Sequence, residues 1–161
     1  MPATCDSAFD TTNQIYSNML IKQALNCLEE RLRYSSSLIL TKSDDVISYL
    51  KLQLAEEKNE VFGVLFFSSQ QRLISFDKLF FGTVNMAHVF PRVIIQKALE
   101  YNASAVILAH NHPSGDSRPS INDKEVTEEL KGILKIIDVK VLDHIVVTHQ
   151  NCYSFAETGL L

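Results

Sequence analysis

The sequence contains few of the residues that mark fibrous, low-complexity or disulfide-rich proteins. Its 161 residues include five glycines and four prolines, too few for a collagen-like or linker-type composition. The three cysteines, Cys5, Cys27 and Cys152, lie far apart and form no CxxC pair, so neither a disulfide framework nor a cysteine zinc site is expected. A reducing compartment is the simplest setting for such a chain, and we expect a cytoplasmic protein.

The sequence also lacks a basic excess and a long hydrophobic run. Fifteen Lys and Arg residues are outnumbered by nineteen Asp and Glu residues, which gives a formal net charge of -4. Because phosphate contacts dominate the affinity for duplex DNA, this composition gives DNA binding no support. No apolar run reaches the roughly 18 residues of a membrane span. The polar N-terminus does not resemble a signal peptide, and we expect no membrane association.

The residues that are present predict a globular domain with helices in its N-terminal part. Hydrophobic residues make up 46% of the chain and charged residues 21%, as in soluble proteins with a single core. Residues 1–13 are small, polar and irregular, and they predict a loose arm. Apolar residues three and four apart then predict an amphipathic helix over Gln14–Arg33. Its predicted buried face consists of Ile15, Met19, Leu20, Ala24, Cys27, Leu28 and Leu32.

Helical and strand patterns alternate along the rest of the chain. Helices are predicted from Ser43, from Pro91 to Tyr101 and from about Asn122. Short apolar segments rich in β-branched and aromatic residues predict strands, which cover residues 60–67, 72–81, 103–109 and 139–148. The resulting order, α-α-β-β-α-β-α-β, predicts a mixed sheet flanked by helices.

The segment from His110 to Asp123, HNHPSGDSRPSIND, holds the candidate chemistry. Residues two apart on an extended chain share a face, so His110 and His112 can converge at the end of the preceding strand. Pro113 ends that strand, and the loop returns to a helix whose first turn contains Asp123. Two imidazoles and a carboxylate with an open fourth position are typical of a catalytic zinc site.

The same residues also allow a structural interpretation. Ser120 and Asp123 have the spacing of a capping box, in which the serine caps the helix and the carboxylate reaches back to it. A carboxylate is in any case favourable near the positive end of a helix. From the residue types alone, metal binding and helix capping therefore stay open as alternatives.

The motif resembles the signature of the JAMM metallopeptidases, which have the MPN fold. Their pattern H-x-H-x(7)-S-x(2)-D fits His110, His112, Ser120 and Asp123 without a gap. The longer stretch AVILAHNHPSGDSRPSINDKEVTEEL, with EVFGVLFF before it and VLDHIVV and YSFAETGLL after it, is similar to the RadC family of bacterial proteins. The resemblance implies an α/β (α+β) fold, an MPN/JAMM-type mixed β-sheet flanked by helices with cytidine-deaminase-like layering.

The resemblance also implies a division of the chain. It covers about residues 43–161, so we expect a RadC-like MPN/JAMM domain there and an N-terminal arm and helix over residues 1–42. No glycine-containing hairpin between helices precedes Ser43. The chain therefore resembles the short form of the family, without the N-terminal helix-hairpin-helix segment that is associated with DNA binding.

Each residue that matches the family has an implied role. His110, His112 and Asp123 are the implied ligands of one Zn2+ per chain. In the family a glutamate just before the first core strand acts as general acid/base on the attacking water, and Glu60 matches that position. Ser120 is the implied hydrogen-bond donor to the developing oxyanion. Zinc lowers the pKa of a bound water to about 7, so a positioned carboxylate suffices as the base.

The implied function is that of a zinc-dependent hydrolase, a metallopeptidase or isopeptidase with an unknown peptide or protein substrate. A DNA-repair or recombination accessory role is an alternative that rests on the family's traditional name. A metal-dependent nuclease is a third, although two-metal sites are commoner for that chemistry. His144, within an apolar strand, is expected to be a buried supporting histidine rather than a ligand.

Overall fold

The computed structural model describes residues 6–34, 43–83 and 88–161, and within them the chain forms four helices and five strands. The helices are α1 (Asp6–Tyr34), α2 (Ser43–Leu54), α3 (Pro91–Glu100) and α4 (Ile121–Ile136). The strands are β1 (Val61–Phe67), β2 (Leu73–Phe81), β3 (Ala105–Asn111), β4 (Lys140–Val147) and β5 (Cys152–Ser154). None of the helices in this described part combines the length and the apolar character needed to cross a membrane.

The five strands form one mixed sheet in the order β2-β1-β3-β4-β5. β1 pairs antiparallel with both β2 and β3, and β4 pairs antiparallel with the short β5. β3 runs parallel to β4, and α4 is the crossover helix that this parallel pairing requires. The predicted α/β fold, a mixed sheet flanked by helices, is confirmed.

Helices cover both faces of the sheet, and a hydrophobic core lies under each pair. α1 and α2 cover one face with side chains such as Leu32 and Leu50, and α3 and α4 cover the other with Ile94 and Leu134. All seven residues of β1 and of β3 are buried, because both strands are central and packed on both sides. These two strands place the candidate site at the carboxyl end of β3.

The N-terminal helix begins earlier than its sequence predicts. α1 starts at Asp6 rather than at Gln14, so the predicted loose arm fails from Asp6 onward. Adding a residue to an existing helix costs little, and a polar start is therefore no barrier to extension. Residues 1–5 and residues 35–42, between the first two helices, lie outside the described residues. The division at residue 42 stays a prediction.

The buried face of α1 also differs from its prediction. Ile15, Met19 and Leu20 are 64%, 48% and 47% exposed, whereas Leu32 is 3% exposed. Residues 13–20 are all exposed, and the side chains that pack on the core come from the last third of the helix. The apolar spacing was a correct signal of a helix. It could not show which part of that helix meets the rest of the chain.

Candidate metal centre

Two histidines and an aspartate meet where β3 ends and α4 begins. His110 is the next-to-last residue of β3 and His112 follows it on the same extended stretch, so both imidazoles lie on one side. Their Nε2 atoms are 2.9 Å apart. The carboxylate of Asp123, in the first turn of α4, lies 3.3 Å from Nε2 of His110 and 3.6 Å from Nε2 of His112. The structure thus brings the three predicted ligands together, with their ligand atoms within 4.8 Å of one another.

Asp123 also closes the helix cap that the alternative interpretation requires. Ser120 Oγ accepts a hydrogen bond from the backbone N–H of Asp123 at 3.1 Å, and Asp123 Oδ2 accepts one from the backbone N–H of Ser120 at 2.6 Å. Oδ1 faces His110 at 3.3 Å, while Oδ2, which accepts the cap bond, also faces His112 at 3.6 Å. Burial raises the pKa of Asp123, but hydrogen bonds with His110, His112 and Ser120 outweigh burial and hold the pKa well below its usual range. The carboxylate is charged, as a metal ligand must be.

A buried hydrogen-bond chain determines which nitrogen of His110 carries the proton. Thr127 Oγ1 donates to the backbone carbonyl of Asp123 at 2.5 Å, so its oxygen accepts from Nδ1 of His144 at 2.6 Å. Burial holds the pKa of His144 well below its usual value, so that ring is neutral and its Nε2 accepts. This Nε2 lies 2.8 Å from Nδ1 of His110, which therefore donates. In a neutral His110 ring, Nε2 is therefore the bare lone pair that faces Asp123.

The exposed loop after His112 favours the same tautomer in this ring, with the proton on Nδ1. Its Nδ1 lies 2.7 Å from the backbone carbonyl of Asp116, which can only accept, so a neutral His112 also presents a bare Nε2. Arg118 holds the Asp116 carboxylate with donors at 2.7 to 3.1 Å. These hydrogen bonds lower the pKa of Asp116 to about 2. Gly115, with a φ of 85°, adopts the left-handed backbone that this tight loop needs.

The arrangement of these three groups fits a metal ion. Two bare nitrogen lone pairs 2.9 Å apart, next to a carboxylate, repel one another unless a cation lies between them. Tetrahedral zinc with bonds of about 2.0–2.1 Å separates its ligand atoms by roughly 3.3–3.4 Å. The separation of 2.9 Å between the two Nε2 atoms and that of 3.3 Å between Nε2 of His110 and Oδ1 of Asp123 are close to that value. A proton on His112 competes with the metal ion for this position. Hydrogen bonding to Asp123 raises the pKa of His112, although burial lowers it.

Glu60 lies opposite the histidines, just before β1. Phe62 pairs with His110 in the antiparallel register, so two residues further along Glu60 comes opposite His112. The negative charge of Glu60 is one of the causes that raise the pKa of His112. Within the described residues, the group of converging ligand atoms does not include Glu60. Glu60 lies beside that group, at the position where the resemblance implies a general base.

Sequence reasoning missed most of the supporting partners. His144 is where the sequence predicts it, fully buried and bonded to a ligand, but its other partner, Thr127, gave no recognised signal. The one available clue was that Thr127 follows Asp123 by one helical turn, which puts both on the same face of α4. Asn111 was missed because its partners lie at and before the start of β1, and the Asp116 carbonyl was missed because a backbone group gives no signal in the residue types.

Comparison with known proteins gives the family. A model of the RadC-like JAB domain matches residues 40–160. The chain belongs to this family. The resemblance to the RadC family, which the motif from His110 to Asp123 indicated, is therefore confirmed.

Relatives of the RadC-like protein carry the name UPF0758 protein. One from Vibrio cholerae serotype O1 is 43% identical over 150 residues, 93% of this chain and 93% of the relative. UPF0758 protein YkfG of Escherichia coli K12 is 43% identical over 142 residues, 88% of this chain and 89% of the relative. UPF0758 protein Mpe_A2695 of Methylibium petroleiphilum is 49% identical over 129 residues, 80% of this chain but 58% of the longer relative. None of these three names states an activity.

Proposed function

We propose that this RadC-like protein is a zinc-dependent hydrolase of the JAMM type that cleaves a peptide or isopeptide bond. The observation that carries the proposal is the convergence of two bare histidine nitrogens and a charged carboxylate on one point, with Glu60 beside them. Three ligands with a fourth position left for water are typical of catalytic rather than structural zinc sites. Imidazole nitrogens with one carboxylate suit zinc among the common metals.

Each residue of the site has one task in this proposal. A zinc ion, when bound, polarises a carbonyl group and lowers the pKa of a water ligand to about 7. His110, His112 and Asp123 hold it. Glu60 accepts the proton of the attacking water and returns it to the leaving nitrogen. Ser120 Oγ accepts the cap bond from Asp123, so the hydroxyl hydrogen stays available to donate to the oxyanion.

The site supports amide hydrolysis better than the two alternatives. Metal-dependent nucleases more often use two metals with several carboxylates, whereas the described residues contain one group of three ligands. A DNA-repair accessory role needs a basic surface, and a net charge of -4 gives it no support. Cleavage of DNA, the nuclease alternative, is an outcome of the experiment below.

A panel of substrates tests the proposed activity. Zinc-loaded protein is incubated with fluorogenic peptides, isopeptide-linked peptides and labelled DNA, next to the variant Glu60→Gln, which keeps all three ligands. We expect turnover of at least one amide substrate, and a rate about 10²-fold or more lower in Glu60→Gln, the usual scale for a lost general base. Cleavage of DNA alone, or equal rates in the two proteins, would contradict the proposal.

A further inference from the structure

The residue between the two histidines makes hydrogen bonds that the metal group does not use. Asn111 is 2% exposed, and its side chain points to the opposite face of β3 from the imidazoles. Its Oδ1 accepts a hydrogen bond from the backbone N–H of Val61 at 2.8 Å. Its Nδ2 donates to the backbone carbonyls of Asn59 at 3.1 Å and of Glu57 at 3.2 Å. The buried amide thus has a partner for its oxygen and two for its nitrogen.

These partners fix the Asn111 amide in one orientation. A backbone N–H can only donate and a carbonyl can only accept, so a flipped amide would set like groups against one another at all three contacts. Aspartate has the same shape but carries no donor for the two carbonyls. An asparagine at this position therefore matches its surroundings in a way that its isostere does not.

The three bonds of Asn111 reach the segment that carries Glu60. They end on residues 57, 59 and 61, which lie on both sides of Glu60. On the other side of the segment, Glu60 N–H donates to the carbonyl of Thr83 at 3.0 Å, and Gly82 N–H donates to the carbonyl of Glu60 at 2.8 Å. The backbone of Glu60 is held between the end of β2 and the side chain of Asn111.

The main-chain pairing of β1 with β3 ends just before Asn111. Its outermost pair is Phe62 with His110, and beyond that pair Val61 N–H bonds to a side chain instead of a main-chain carbonyl. The Asn111 amide thus continues the hydrogen bonding between β1 and β3 past the Phe62–His110 pair, towards Glu60.

We propose that Asn111 is a positioning residue that sets where Glu60 stands relative to His110 and His112. The inference rests on the proposed function, in which Glu60 accepts a proton. A general base acts only within hydrogen-bond reach of that proton, and a misplacement of about 1 Å can slow a reaction by about 10²-fold. Because Asn111 lies between the two histidines in the chain, it couples the ligands and the base into one unit.

Amide hydrogen exchange in the zinc-loaded protein tests, without any substrate, whether the Asn111 side chain holds residues 57–61 in place. In Asn111→Ala we expect exchange at Val61 to be about tenfold or more faster, the scale of one lost buried hydrogen bond, while Val64 in the middle of β1 keeps its rate. Ser68→Ala is the matched control, because it removes a side-chain bond to the Arg72 N–H at the other end of β1. The control should leave exchange at residues 57–61 unchanged.

A measurement on the wild type covers the case in which Asn111→Ala does not fold. The side-chain NH2 protons of Asn111 should be protected from exchange in the NMR spectrum, unlike those of the exposed Asn151. Equally fast exchange of the two side chains would overturn the inference.

Turnover separates positioning from a general effect on stability. In Asn111→Ala we expect kcat to fall about tenfold or more, while KM and zinc content stay the same. In the double variant Asn111→Ala/Glu60→Gln, kcat should be less than about twofold lower than in Glu60→Gln alone. Unchanged exchange at Val61, or losses that multiply in the double variant, would overturn the inference. If the wild type cleaves nothing in the panel, the proposed function fails, and exchange still decides whether Asn111 holds the segment.

Discussion

Two residues of the same type, His110 and His112, are supported in different ways. Nδ1 of His110 donates to the buried His144, whereas Nδ1 of His112 donates to a backbone carbonyl in an exposed loop. Both arrangements leave Nε2 bare, and such partners orient a metal-binding imidazole and raise its basicity. Water can replace a lost partner in the loop, but it has little access to His144, which is 0% exposed. The buried support is therefore the harder one to replace.

Replacement of His144 by phenylalanine should weaken zinc binding. An aromatic ring then still packs on Phe155, whose centroid is 4.8 Å from that of His144, but the acceptor for Nδ1 of His110 is lost. Loss of such a partner typically costs about 10- to 100-fold in metal affinity, and we expect this loss in a competition titration with a chelator. The exposed His149→Ala is the control. An unchanged zinc affinity in His144→Phe would contradict the role of the buried hydrogen-bond chain.

The loop that supports His112 should respond to acid. Arg118 holds the folded-state pKa of Asp116 at about 2, below the roughly 3.9 of an unfolded aspartate. The stabilisation from this pair is therefore fully present above about pH 4 and is lost as the pH falls towards 2. An NMR titration of the Asp116 carboxyl should show a midpoint near 2, and Arg118→Ala should move it upwards. If the midpoint stays where it is in Arg118→Ala, the ion pair does not hold the loop.

The metal ligands could be predicted from their spacing in the sequence, but the residues that hydrogen-bond around them could not. His110, His112 and Asp123 lie within one short segment, so strand and helix periodicity suffice to bring them together. Thr127 and His144 are 17 residues apart, and Asn111 and Val61 are 50 apart. The packing of α4 on β4 brings the first pair into contact, and the pairing of β1 with β3 brings the second pair together.

At the scale of elements, the hairpin of β1 with β2 could be predicted, but the pairing of β3 with β1 and with β4 could not. The segments of β1 and β3 are apolar on each face, which is the pattern of a central strand. Nothing in either segment specifies that β1 runs antiparallel to β3 while β3 runs parallel to β4. The prediction of the buried face of α1 failed for the same reason, because helical spacing indicates an apolar face but not which other part of the protein covers it.

Two leucines of α1 should differ in their contribution to stability. Leu32→Ala removes a side chain that is 3% exposed, and we expect the free energy of unfolding to fall by about 2–5 kcal/mol. Leu20 is 47% exposed, so Leu20→Ala should change it by less than about 0.5 kcal/mol. Urea unfolding of the two variants measures both values. Equal losses would mean that α1 packs along its whole length.

At the scale of the whole molecule, acidic partners offset the basic residues that a DNA-binding face would need. Arg31 pairs with Asp45 at 3.0 Å and Arg33 pairs with Glu29 at 2.6 Å. A cavity between α4 and β4, at the opposite end of the sheet from the histidines, is lined by three lysines, namely Lys131, Lys135 and Lys140. Three cations are fewer than the roughly six to ten phosphate contacts that produce a steep salt dependence.

Binding to duplex DNA should therefore be weak. We expect a Kd above about 10 μM at ~150 mM salt and a log-log salt slope shallower than about -4. Titration of labelled duplex and single-stranded DNA at three salt concentrations measures both quantities. Sub-micromolar binding with a steep salt dependence would place the DNA accessory role ahead of the hydrolase.

The zinc content of the purified protein tests the central claim, a metal centre built by His110, His112 and Asp123, most directly. Elemental analysis of protein prepared without chelators should give about one zinc per chain in the wild type and in Glu60→Gln, and His112→Ala should lose most of it. Full zinc content in the double variant His110→Ala/His112→Ala, or none in the wild type, would contradict the account.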